Sequence, residues 1–300
     1  MKIYTYPNIG PFNRNGRGGL KQRQKELKKI NKKYNTHDFQ LVEIPADFIK
    51  NKSEEKKTGL KVCSFLDQKT VKNLYTLGCI DKEIRYVLHT EPIFSRQGIN
   101  SSCTPKLEWY NLNWVHKFIK HVCSIIDFIG ISPYAIEIHP GKIEKGKNNF
   151  QILSKAIKIL HAKFEKEYKE EILIFIENRT GQQIKGGGDI KMFWEYFKEN
   201  YPELIVKTGI ILDIQQFYTV NKTNFIPEFS KVPKESLLGV HIHKGRHQVP
   251  AEDDNIPWKF VSEQIKNLGT EKRPLHILPE VHHAKHTENT YEFCKHYLGL

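Results

Sequence analysis

Unbroken apolar runs, each closed by a polar residue, set the pattern of this chain. Leu173-Ile174-Phe175-Ile176 is followed at once by Glu177, Asn178 and Arg179. A strand buried on both faces reads as such a run, because neither face alternates with solvent. The device recurs. Arg85-Tyr86-Val87-Leu88 ends in His89, Tyr134-Ala135-Ile136-Glu137-Ile138 in His139, and Gly209-Ile210-Ile211-Leu212 in Asp213. Leu237-Leu238-Gly239-Val240 runs into His241, Ile242 and His243, and Leu275-His276-Ile277-Leu278-Pro279 into Glu280. Six successive strand-like runs finish on residue types that bind metals.

The segments between them carry helical periodicity. Two earlier strands are expected at 2–6 and 39–45, separated by a polar helix over about 20–34 with Leu20, Leu27 and Ile30 as its apolar stripe. Lys52 to Lys57 reads as a solvated charge run, and helix signals resume at about 68–78. Leu112, Val115, Phe118, Ile119, Val122 and Ile126 mark a helix over 111–129. A helix of about twenty residues leads to Leu173, and others are expected near 189–200, 256–268 and 288–297. The connection after Asp213 is only weakly helical. Eight strand–helix units specify a parallel sheet with right-handed crossovers, and they suit one α/β domain over 1–300, a (β/α)8 TIM barrel. An open doubly wound sheet is the alternative. No G-x-G-x-x-G follows the first strand, and ligand-type residues end more strands than a switch-point crevice uses.

Composition adds a partner to this picture. With 39% hydrophobic and 11% aromatic residues the chain can build a sizeable core, which excludes a disordered class. A net charge of +13 points to a polyanion, nucleic acid first, although Lys-rich solvated helices would produce the same excess. Loops after the strands hold Arg14, Arg17, Arg96, Lys142, Lys145, Lys147, Arg179, Lys185, Lys244 and Arg246, a cationic collar around the barrel mouth. The 5 cysteines are scattered, with no C-x-x-C pair. They indicate a reducing compartment, no thiolate zinc site and no disulfide-linked partner. Neither a signal-peptide core nor a window of about 18 apolar residues is present, so the expectation is a cytoplasmic monomer without membrane contact.

His89, His139, Glu177, Asp213, His241 and Glu280 should converge at the C-terminal ends of the barrel strands. Imidazole nitrogen and carboxylate oxygen suit Zn2+ or Mn2+. A shared carboxylate lets two ions sit roughly 3.5–4 Å apart and activate water between them. Taken singly, each histidine could be a hydrogen-bonded loop residue and each acid a helix cap. Six at equivalent positions favour a metal centre. Weaker candidates are Glu43 at the end of the second strand, which could support a metal ligand from behind or serve structure alone, the His282, His283 and His286 cluster, which could touch phosphate or metal or form a polar loop, and Gly186 to Gly188, which could approach phosphate or form a flexible loop. Trp109, Tyr110 and Tyr218 could stack on a base or pack in the core.

The short motifs resemble endonuclease IV, within the wider xylose-isomerase-like barrels. Val87-Leu88-His89-Thr90-Glu91-Pro92 is similar to that family's third-strand histidine motif, and Glu137-Ile138-His139-Pro140-Gly141 to its His-Pro-Gly. Ile176-Glu177-Asn178-Arg179-Thr180-Gly181-Gln182 resembles the bridging-glutamate segment, and Leu278-Pro279-Glu280 the final glutamate. Val240-His241-Ile242-His243 falls on His-x-Asn-Asp. The resemblance implies cleavage of DNA beside abasic sites at three zinc ions. His89, His139 and Glu177 would hold the first ion, and Glu177 would bridge to a second held by Asp213, His241 and Glu280.

The third site departs from the family. Gln216 stands where Asp-x-x-His has its histidine, and Gly245-Arg246-His247 lacks the aspartate of Asp-Arg-His. His247, Gln216 and His243 are its remaining candidate ligands. Two Zn2+ ions are therefore expected, with Mn2+ the alternative and the third site impaired. Glu177, Glu280 and Arg246 are the expected catalytic residues, and Arg17, Arg96, Lys142, Arg179, Lys185 and Lys244 the expected DNA contacts. Two rival functions remain. One is a sugar isomerase or epimerase using one ion on Glu177, Asp213, His241 and Glu280. The other is a metal-holding nucleic-acid-binding protein without turnover.

Overall fold

A computed structural model of the chain describes residues 3–5, 29–30, 32–33, 41–45, 48–49, 64–65, 85–90, 107–143, 145, 149–245, 247–266, 268–281 and 284–298. Ten strands are β1 (Ile3–Thr5), β2 (Leu41–Pro45), β3 (Phe48–Ile49), β4 (Ser64–Phe65), β5 (Arg85–Thr90), β6 (Ala135–Ile138), β7 (Leu173–Glu177), β8 (Thr208–Asp213), β9 (Leu237–His241) and β10 (Leu275–Leu278). Eight of them form one sheet in the order β1-β10-β9-β8-β7-β6-β5-β2. Every pairing in it is parallel. Only β3 and β4 stand apart, as a separate parallel pair of two residues each. The pattern reading did not anticipate them.

The sheet curls on itself, and side-chain distances prove it. Five strand spacings separate β2 from β9, about 24 Å in a flat sheet at roughly 4.8 Å per strand. Yet ligand atoms of Glu43 on β2 and His241 on β9 lie within 4.8 Å of one another. Likewise Glu137 on β6 and His241, three strands apart, are separated by 3.2 Å. β1 and β2 are the two ends of the order, and no pairing joins them among the described residues.

Curling gives the sheet an inside and an outside, each with its own core. Leu41, Val87, Ala135, Phe175, Ile211 and Leu278 point inward from six strands and pack as one cluster. Their neighbours in sequence, such as Val42, Leu88, Ile136, Ile174 and Leu212, face outward into a larger cluster under the helices. Both alternate faces are buried, which is why the strands read as unbroken apolar runs.

The helices supply the outer layer. They are α1 (Leu112–Ile129), α2 (Asn149–Tyr168), α3 (Gly187–Asn200), α4 (Ile214–Asn221), α5 (Phe225–Phe229), α6 (Trp258–Ile265) and α7 (Thr287–Leu298). α1 starts where the Asn111 side chain accepts from the amides of Asn113 and Trp114, and it stops at Gly130 with φ of 81°. Its stripe Val115, Phe118, Ile119, Val122 and Ile126 is fully covered. The weakly helical connection after β8 resolves into the short α4 and α5 with 3-10 turns. Within the Gly186–Gly188 run, Gly187 serves packing. A Cβ on Gly187 would fall 1.8 Å from the Glu228 carbonyl oxygen, so glycine lets α3 begin against α5. No described helix is long and apolar enough to cross a membrane.

Candidate metal centre

The polar residues that close the strands all turn inward at one end of the barrel, one layer above the inner apolar cluster. The period of two in each strand puts His89 on the face of Val87 and Glu177 on the face of Phe175. His89 Nε2 and His139 Nε2 are 3.1 Å apart, and Glu177 Oε2 lies 3.1 Å from the first and 2.7 Å from the second. Two imidazole nitrogens and a carboxylate oxygen thus face one point. Donors bound at about 2.0–2.1 Å around a tetrahedral ion sit roughly 3.3 Å from each other, so this spacing is that of a ligand set.

Three further groups adjoin it. Glu177, Asp213 and His241 form a second triad, with Glu177 common to both. His243, His247 and Glu280 form a third. In it His243 Nε2 lies 3.4 Å from Glu280 Oε2, His247 Nδ1 lies 3.4 Å from Glu280 Oε1, and the two imidazoles stack at 4.4 Å. Glu43, Glu137 and His241 make a fourth, all fully buried. Several of these buried atoms lack a hydrogen-bond donor or acceptor among the described residues: both oxygens of Glu137, Oε1 of Glu177, Oε2 of Glu280 and both nitrogens of His241. Buried polar atoms are normally satisfied, so this dense set is a candidate place for ions.

Local structure fixes these side chains. Asn178 bridges β7 to β8: its Oδ1 accepts from the Asp213 amide at 2.7 Å and its Nδ2 donates to the Asp213 carbonyl at 3.3 Å. Asp213 in turn serves two ends. Oδ1 caps α4 by accepting from Gln216 N at 2.9 Å, while Oδ2 lies 3.3 Å from His243 Nε2. Helix cap and ligand candidate are here the same residue. The His-Pro-Gly turn is braced from both sides. Trp109 Nε1 donates to the His139 carbonyl at 2.9 Å, Gln182 Oε1 accepts from the Gly141 amide at 2.7 Å, and Gln183 Nε2 donates to the Pro140 carbonyl. Gly141 itself has φ of 81°, and a Cβ there would meet Trp109 at 2.9 Å and the Leu107 carbonyl at 3.0 Å.

The histidines and the carboxylates of the cluster shift each other in opposite directions. Burial opposes charge on His89 and His241, but the Glu137 carboxylate, with Glu43 for His89 and Glu280 for His241, raises both well above the usual imidazole range. His243 is pushed up to about 9, Asp213 and Glu280 outweighing its burial. Glu177 and Glu280 move the other way. Burial would raise them, yet His139 beside Glu177 and His247 beside Glu280 hold them well below the carboxylate range. Burial dominates at Glu43 and raises it.

The six strand-tip residues of the sequence pattern are thus brought together, and so are His243 and His247. Gln216 is not. Its Oε1 accepts from the Thr180 amide at 3.3 Å, because its place in the first turn of α4 aims it along β7's loop. Arg179 reaches the rim, with Nη1 3.6 Å from Glu177 Oε1. Lys142 and Lys145 are exposed, Lys185 is half-buried, and Lys244 pairs with Asp254 at 3.2 Å. Trp109 is a core residue and Tyr218 packs on the Phe225 ring, which favours packing over base stacking for both. Tyr110 stays 39% exposed, and His286 sits in the turn before α7. Arg14, Arg17, Arg96, Lys147, Arg246, His282 and His283 lie outside the described residues. Pattern reading missed Glu137 and Asn178 altogether and undervalued Glu43.

No protein-family model matches the sequence, and no curated protein matches it. Solved structures match in fold. A D-tagatose 3-epimerase-like protein superposes with a TM-score of 0.55 at 16% identity, covering 100% of this chain and 97% of its own. The IOLI protein, solved with a zinc atom, gives 0.53 at 10% identity and covers 100% and 98%. A protein from Mycobacterium smegmatis in complex with magnesium gives 0.53 at 10% identity and covers 99% and 97%. At such identities the likeness is one of architecture alone, an α/β barrel.

Proposed function

We propose that the chain is a divalent-metal-dependent phosphodiesterase acting on DNA, cleaving beside abasic sites as the resemblance to endonuclease IV implies. One observation carries the reading: the His89–His139–Glu177 triad stands beside Glu177–Asp213–His241 and shares its carboxylate. A single-ion site needs only the second of these. Zinc ions held there would polarise phosphoryl oxygens and lower the pKa of water.

The chain's own residues define the rest of the proposal. His89, His139 and Glu177 hold one position, Glu177, Asp213, His241 and Glu280 a second. His243, His247 and Glu280 offer a third that does without Gln216. Five buried carboxylates (Glu43, Glu137, Glu177, Asp213 and Glu280) outweigh two divalent ions by one charge and fall short of three by one. Three ions would therefore leave the pocket attractive to a phosphodiester. With two, the attraction falls to the rim cations Arg179, Lys185, Lys142 and Lys244, with Arg17, Arg96 and Arg246 from the sequence pattern. The reading also carries a barrel closed between β1 and β2.

The test is incubation of zinc-loaded protein with a duplex holding one abasic site, beside an intact duplex, a chelator-treated sample and Glu177→Ala. Cleavage at the lesion that chelator and Glu177→Ala both abolish is the expected result. A second reading is favoured by the turned-away Gln216 and by neighbours that include an epimerase-like protein: sugar isomerisation on Glu177, Asp213, His241 and Glu280. Intact DNA together with metal-dependent interconversion of ketoses and aldoses would replace the first reading with this one.

A further inference from the structure

We infer that Glu43 and Glu137 are positioning residues of the metal centre, each a carboxylate at ion-pair distance from the histidine nitrogen that faces away from the one turned to the ligand triads. The inference rests on the metal reading and adds to it two residues that no motif marks.

The geometry is the same on both sides of the barrel. His89 Nε2 belongs to the triad with His139 and Glu177, while its Nδ1 faces Glu43 Oε1 at 3.4 Å. His241 uses its nitrogens in the opposite sense. Nδ1 faces Glu280 Oε2 at 3.2 Å and Nε2 faces Glu137 Oε1 at 3.2 Å. A neutral imidazole has one N–H and one lone pair. A carboxylate at one nitrogen keeps the proton there and leaves the lone pair at the other, where the ion is to be held. Glu43 thus sets His89 to bind through Nε2, and Glu137 sets His241 to bind through Nδ1.

Burial makes the arrangement costly to lose. Both glutamates are 0% exposed, and each follows an inner-cluster residue, Leu41 or Ala135, by two positions on the same strand. The acidic groups at ion-pair distance from these outward-facing nitrogens are Glu43 and Glu137 themselves. Among the described residues, the ion-pair partners of Glu137 are His241 and, at 3.7 Å, His89. Glu43, Glu137 and His241 could alternatively hold an ion of their own, and the experiment separates the two roles.

The measurement is cobalt(II) titration of metal-stripped protein, following the visible absorption bands, with ions per chain counted at saturation. Glu43→Gln, Glu137→Gln and Glu137→Leu are compared with the unchanged chain. Positioning predicts about 10- to 100-fold weaker cobalt affinity and shifted bands, partly restored in Glu137→Gln relative to Glu137→Leu, with the ion count unchanged. Should Glu137→Leu fail to fold, the near-isosteric glutamine variants carry the comparison. A lower ion count in either glutamine variant would make the inner triad a metal site and overturn the proposal. Unaltered affinity and bands would overturn it as well. An unchanged chain that takes up no cobalt would remove the metal reading itself.

Discussion

Gly130 and Gly141 form a matched pair that isolates what the His-Pro-Gly turn requires. Both have φ of 81°. An alanine at Gly130 meets nothing within 4 Å, whereas at Gly141 its Cβ lies 2.9 Å from Trp109 Cδ1, 3.0 Å from the Leu107 carbonyl oxygen and 3.2 Å from Leu107 Cβ. Gly130→Ala therefore carries only the left-handed backbone cost, roughly 1–2 kcal/mol. Gly141→Ala adds overpacking, typically about 1–3 kcal/mol more. Trp109 cannot simply swing aside, since its ring lies 5.0 Å from that of Trp114 and 5.2 Å from that of Phe118. If it moves, it breaks its bond to the His139 carbonyl and shifts a ligand candidate. Urea unfolding should rank Gly141→Ala below Gly130→Ala by about 1–3 kcal/mol, and zinc titration should show weakened binding in Gly141→Ala alone. Equal stability and equal zinc affinity in the two variants would refute the argument.

Three other outcomes follow from groups already placed. Burial, with Lys207 adding its charge, holds His161 down to about 4, and burial holds His276 down to about 4. Since the unfolded imidazoles titrate near 6.5, stability is fully present above that pH and falls as pH drops from 6.5 toward 4, by about 2 kcal/mol per histidine at pH 5. An NMR titration placing either imidazole midpoint near 6.5 would contradict this. In metal-stripped protein, His243 with its pKa of about 9 must lose a proton to bind an ion, as must the raised His89 and His241, so zinc affinity should rise at least about tenfold per pH unit from 7 to 9. Calorimetry in buffers of different ionisation enthalpy checks this, and zinc binding without proton release would count against it. Gly187→Ala, whose Cβ falls 1.8 Å from the Glu228 carbonyl, should lower the melting midpoint through about 1–3 kcal/mol of overpacking, and an unchanged midpoint would be inconsistent with the α3–α5 contact.

The strand tips were legible because burial on both faces turns each strand into an apolar run, so that the first polar residue stands out. His89, His139, Glu177, Asp213, His241 and Glu280 were all found in this way, and the observed strands end within about two residues of them. Glu137 was hidden by the same logic, and Glu43 stood out only as a weaker candidate. A carboxylate two positions inside a strand reads as the solvent half of an alternating pattern, and only the closing of the sheet turns it inward. Gln216 misled in the opposite direction: its sequence position matches a ligand, but the first turn of α4 aims it at Thr180. His243 and His247 come together across a turn in which His247 has φ of 51°, a conformation that spacing does not reveal. The two-residue strands β3 and β4 are too short for any periodicity to register.

The account stands most directly on the number of divalent ions the barrel mouth holds. Protein dialysed against trace zinc and analysed by inductively coupled plasma mass spectrometry should retain at least two ions per chain. His139→Ala, which removes a ligand from the first triad alone, should lower that number by one. A single ion per chain, unchanged in His139→Ala, would contradict the shared-carboxylate centre and leave only the Glu177–Asp213–His241 position occupied.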